Sequence, residues 1–81
     1  MKRKNFLITS TAGHNVIKHT WNAASRHIYI LVLELAQANY ASYILIDSES
    51  VKEGFDHVYG TRVWKNYNDD SVVVFTIKEM T

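Results

Sequence analysis

The chain contains no cysteine and no proline, and only three glycines among its 81 residues. Without cysteine there can be no disulfide, thiolate metal site or thiol nucleophile. Secreted domains of this size are usually stapled, so the composition points to a cytoplasmic protein. Without proline, turns fall to Gly13, Gly54, Gly60 and to Asn/Asp clusters. Long apolar runs are missing too. The longest, Ile28 to Leu33, is far short of the roughly 20 residues of a membrane span. The basic start Met1–Asn5 is followed by only Phe6-Leu7-Ile8 before polar Thr9, which does not fit a signal peptide. No linker, repeat or low-complexity tract divides the chain. A single domain over residues 1–81 is expected, with residues 1–4 as a loose basic terminus.

What is present is a charge split. Residues 1–40 hold Lys2, Arg3, Lys4, Lys18 and Arg26 against the single acid Glu34. Residues 41–81 hold Lys52, Arg62, Lys65 and Lys78 against Asp47, Glu49, Glu53, Asp56, Asp69, Asp70 and Glu79. The near-neutral total of +1 thus hides a basic first half and an acidic second half. Such a field steers partners and says little about fold.

The hydrophobic pattern reads as β-β-α-β-α-β-β. Two β-prone runs, Asn5–Thr11 and Val16–Trp21, flank Gly13 and predict a hairpin. Pairing Ala12 with Asn15 gathers Phe6, Ile8, Ile17 and Trp21 on one face. Residues 23–38 predict the main helix, with Asn22 as N-cap and Asn39 closing it; the β-branched run His27–Val32 is its weak point. Tyr43–Asp47 reads as a central strand. Ser50-Val51-Lys52-Glu53 has capping-box spacing, predicting a short helix that buries Val51, Phe55 and Val58 and ends near Gly60. A second hairpin, Thr61–Tyr67 and Ser71–Glu79, turns at Asn68-Asp69-Asp70. The expected fold is α+β: a mainly antiparallel, twisted sheet of about five strands with one long helix on one face. Ile28, Leu31, Leu35 and Ala38 of that helix are expected to meet Phe6, Ile8, Ile17 and Ile44. A single helix layer leaves one sheet face bare, where the pattern places Trp64, Val72 and Val74.

Few residues suggest catalysis. His14, His19, His27 and His57 lack the one-turn spacing and the carboxylates of a metal site, so neither metal nor cofactor is expected; a pH-sensitive contact through one imidazole fits them better. The carboxylates Asp47, Glu49, Glu53 and Asp56 could act in acid–base chemistry only inside a dry pocket, for which a chain this short has little room. Thr9-Ser10-Thr11 before Gly13 lacks the second glycine and the lysine of a phosphate loop. The pattern therefore favours a non-enzymatic protein-binding module, of the inhibitor type that phages and mobile elements encode. Glu49, Glu53, Asp56, Asp69 and Asp70 would form an acidic edge that blocks a basic, nucleic-acid-binding surface of a partner. Arg62, Trp64 and Tyr67 would anchor the contact. Two alternatives stand beside it. One is nucleic-acid binding through Lys2, Arg3, Lys4, Lys18 and Arg26 with nearby aromatics. The other is a self-associating homodimer. No partner membrane is expected.

Overall fold

Strand β1 (Asn5–Ser10) and the short β2 (Asn15–Lys18) form the first hairpin, and helix α1 (Trp21–Asn39) follows directly. Strands β3 (Tyr43–Glu53), β4 (Asp56–Asn66) and β5 (Val72–Met80) complete an antiparallel sheet in the order β2-β1-β5-β4-β3. These elements come from a computed structural model that describes residues 4–80. The fold is α+β, with one helix lying on one face of five antiparallel strands.

The element order is β-β-α-β-β-β, so the short helix expected over residues 51–60 is replaced by strand. Gly54 and Phe55 form a two-residue turn in which Gly54 takes φ +63° and Glu53 faces Asp56. Glycine at the first central position suits the twist of a hairpin, whereas in a helix it would cost about 1 kcal/mol relative to alanine. The capping-box spacing was coincidental; Val51 pairs with Tyr59 and Lys52 with His57, and Val58 is left as the extra residue of an irregularity between them.

Strand register decides which side chains are buried. In the first hairpin Ile8 faces Val16 and Leu7 faces Ile17, with a five-residue connection in place of the tight turn expected. Ser10 organises that connection: its hydroxyl accepts from the backbone N–H of Ala12 and of His14, and lies 2.6 Å from His14 Nδ1. The register differs from the expected one by an odd number of residues, which exchanges faces. Val16 therefore packs toward the core and Ile17 is half exposed. The last hairpin, whose register the sequence leaves open, depends on turn length in the same way. Trp64 faces Val73 and Val63 faces Val74, so Trp64 lies under the helix and is buried. This corrects its expected place on the bare face; Val72 does stand there, half exposed.

The core comprises Phe6, Ile8, Phe75, Ile77 and Trp64 from the sheet and Ala24, Ile28, Leu31 and Val32 from the helix. Leu35 packs against it, whereas Ala38, Ile17 and Ile44 remain outside. The helix caps also differ from those expected. Thr20 is the N-cap, its hydroxyl accepting from the Ala23 N–H at 3.0 Å, and Tyr40 closes the helix in the left-handed conformation. Thr20→Ala is expected to cost about 1 kcal/mol, read as a lowered urea midpoint with an unchanged slope; an unshifted midpoint would remove the cap from the account.

Candidate functional site: the uncovered sheet face and strand β3

Two features give the exposed side of this molecule its character, an uncovered sheet face and the long edge strand β3. Side chains alternate along each strand, so burial of Phe6, Ile8, Phe75 and Ile77 sends Leu7, Thr9, Val72, Val74 and Thr76 to the opposite face. The pairings add Ile17 from β2, Tyr59, Thr61, Val63 and Lys65 from β4, and Lys78 from β5 itself. Among the described residues no helix covers this face. Ile17, Val72, Tyr59 and Met80 on it are all exposed.

Strand β3 joins this face through a bulge. Leu45 faces Trp64 and Asp47 faces Val63, so Ile46 is an extra residue with no partner of its own. A bulge shifts the alternation by one. Tyr43 and Leu45 point under the helix, and beyond the bulge Asp47, Glu49, Val51 and Glu53 point to the uncovered face. Without it, these carboxylates would share the side of Tyr43 and Leu45. Every residue from Ile46 to Asp56 is exposed. Phe55, expected in the core, sits at the hairpin tip with its whole surface in solvent. Sequence reasoning missed it because the turn was read as helix; Gly54 between two β-prone runs is the signal that could have located it.

The predicted acidic edge does not form as one unit. Glu53 and Asp56 lie at the Phe55 tip and Glu49 part-way along β3, while Asp69 and Asp70 lie past the other end of β4, about 33 Å from Asp56 at strand rise. The second group is also occupied locally. The Asp69 carboxylate accepts from the Ser71 N–H and hydroxyl, which hold it below the usual carboxylate range. Asp70 pairs with Lys65 at 3.0 Å. Asp56 pairs with Lys4 at 3.2 Å, and Glu79 lies 3.6 Å from the same ammonium. The Asp56 carboxylate holds Lys4 above its ordinary value. Among the described residues, Asp47, Glu49 and Glu53 enter no ion pair within 4 Å.

The proposed anchors separate as well. Trp64 is in the core, edge-on to Tyr29, and its indole N–H has no hydrogen-bond partner among the described residues. Arg62 lies on the helix side of β4. Its guanidinium donates to the carbonyls of Glu49 (2.7 Å) and Thr61 (2.8 Å) and to the Ser50 hydroxyl (3.3 Å), and it stands 5.9 Å from the Trp21 ring centre. It therefore fastens β3 to β4. Tyr67 is exposed in the β4–β5 turn, remote from the Phe55 tip.

The basic half is likewise dispersed. Lys2 and Arg3 lie outside the described residues, Lys4 is engaged by acids, and Lys18 and Arg26 lie on β2 and on the helix. Burial, and then the Lys18 charge, holds the His27 imidazole below its ordinary value. His57 stacks on Trp21 at 4.6 Å and His14 on Phe75 at 5.5 Å. Among the described residues no three His, Cys, Asp or Glu side chains gather as a metal-binding group. A hollow of about 440 Å³ beyond the helix C-terminus is lined by Ala36, Gln37, Tyr40, Ala41, Ser42 and Asn68, which supply no carboxylate or imidazole. No described helix is long and apolar enough to cross a membrane. Comparison with protein families, curated proteins and solved structures finds no match to this chain.

Proposed function

We propose that this chain is a protein-binding module whose uncovered sheet face and strand β3 occupy a basic surface of a partner. The observation that carries this reading is the bulge at Ile46, which sets Asp47, Glu49 and Glu53 beside an uncovered sheet face of aliphatic and threonine side chains that also carries Lys65 and Lys78. A mixed apolar and polar face with a charged rim is within the usual composition of a protein interface. Carboxylates two residues apart along a strand stand roughly 6–7 Å from one another. They present a linear negative array suited to a basic groove of the kind that holds a phosphate backbone, which is how an inhibitor of a nucleic-acid-binding protein would act. Phe55 replaces Trp64 as the aromatic anchor, because it is the large apolar side chain most completely in solvent.

The test is affinity capture from nuclease-treated lysate at low and high salt, with the native chain beside an E49K/E53K variant and a Phe55→Ala variant. A protein held in stoichiometric amount by the native chain is expected to be lost from the charge variant and weakened about tenfold or more by the loss of Phe55. Equal capture by all three chains would refute the proposed surface. Recovery of nucleic acid in samples without nuclease, and of no protein in either, would favour the basic half instead.

A further inference from the structure

The side of the molecule opposite the uncovered sheet is the outer face of α1, and it is apolar for a solvent-facing helix. Tyr29, Ile30 and Leu33 are each at least half exposed, at 54%, 50% and 58%. At 100° per residue they share a stripe with Arg26, Glu34 and Gln37, opposite the buried Ala24, Ile28 and Leu31 and the partly buried Leu35. The helix carries only two formally charged side chains, Arg26 and Glu34. They stand four residues before and four residues after Ile30. Separated by about 12 Å along the axis, they are too far apart to pair with each other, and among the described residues neither enters an ion pair.

This arrangement is self-complementary. Ile30 is the central residue of Trp21–Asn39. When two copies of the helix cross antiparallel at Ile30, Arg26 of each copy meets Glu34 of the other, twice by symmetry. The pairs flank a centre of Ile30, Leu33 and Tyr29. The helix ends also coincide in this arrangement. The first turn of α1 has no acid and the last turn has no base, so side chains leave its macrodipole uncompensated; an antiparallel neighbour sets opposite ends together. We infer that the outer face of α1 binds a second copy of this chain, forming a symmetric antiparallel helix pair centred on Ile30. In that dimer the two uncovered sheet faces point outward on opposite sides, so one assembly can engage two partner sites. The inference does not depend on the proposed function, since it uses the other side of the molecule.

One helix face buries less than a standard interface, so the dimer is expected to dissociate in the micromolar to sub-millimolar range. Sedimentation equilibrium of the full chain up to about 1 mM tests this with Arg26→Glu, Glu34→Arg, the double exchange and Leu33→Gln, each checked by circular dichroism for native helix content. Each single reversal turns both symmetric pairs repulsive and should weaken the dimer about tenfold or more. The double exchange should recover the native constant. An equimolar mixture of the two single variants should form a heterodimer, because each then supplies the charge that the other lacks. Leu33→Gln should weaken the dimer without affecting the charge pattern. A chain monomeric throughout, a dimer indifferent to the single reversals, or failure of the mixture to pair would each overturn the inference.

Discussion

Phe75→Ala is expected to remove about 3–5 kcal/mol of stability, the largest loss from any single truncation in this fold. Phe75 has no exposed surface and lies on β5, the central strand. Its ring faces the helix among Ile8, Ile77 and Ile28, with His14 stacked against it. Truncation would remove buried area and leave a cavity that the sheet backbone cannot collapse to fill. A chain of 81 residues has a net stability of about 4–12 kcal/mol, so the variant would be partly or wholly unfolded under ordinary conditions. Urea titration monitored by circular dichroism measures the loss. Phe55→Ala serves as the control: with its surface wholly in solvent, its loss should shift stability by no more than about 0.5 kcal/mol. Similar costs at the two phenylalanines would contradict the burial described above.

Substitution at Gly60 should have the next largest effect. Gly60 is buried in β4, and its backbone conformation is one that any residue can adopt. Space is what requires glycine. A Cβ there would lie 2.7 Å from Cη2 of Trp21, 3.1 Å from the Glu49 carbonyl and 3.2 Å from Nη1 of Arg62. Trp21 has little freedom to yield, since its ring is stacked on His57 and set edge-on to Phe6 at 5.9 Å. As the first residue of α1, it also ties the helix to the long hairpin. Gly60→Ala is expected to cost about 1–3 kcal/mol through overpacking. Trp21 emission should shift to longer wavelength as the ring is displaced into water. A Trp64→Phe background isolates that signal, because Trp64 is the other of the chain's two tryptophans. Its unpartnered indole N–H makes phenylalanine a mild replacement there. If stability and emission are both unchanged, the close packing of Trp21 on Gly60 is wrong.

The side chains whose burial differs from the sequence expectation in the two outer hairpins share one physical origin. Segments with strong periodicity are legible: the expected bounds of α1, β1 and β5 lie within two residues of the actual ones, whereas β4 begins five residues before the expected Thr61. Registers were not legible, because turn length decides them and several turn lengths were compatible with the same β-prone runs. A one-residue difference moved Trp64 from the bare face to the core, and an odd shift in the first hairpin exchanged Val16 for Ile17. The candidate site depended on the same kind of detail. Asp47, Glu49 and Glu53 were visible as acids, but the bulge that turns them toward the uncovered face has no signature in residues 45–47.

The sequence by itself determined the class: no cysteine chemistry, α+β patterning, one long helix, and a basic first half joined to an acidic second half. These properties are sums over many residues, so errors at single positions do not alter them. Only the tertiary structure decided which charges stand together and which aromatic residues are exposed. Pairing Lys4 with Asp56 joins the two ends of the charge split, and the length of β4 separates Glu53 from Asp69. Contacts between residues distant in the chain depend on strand register and sheet order. Those are set by side-chain packing across the whole domain and by turn geometry, which no local stretch of sequence encodes alone.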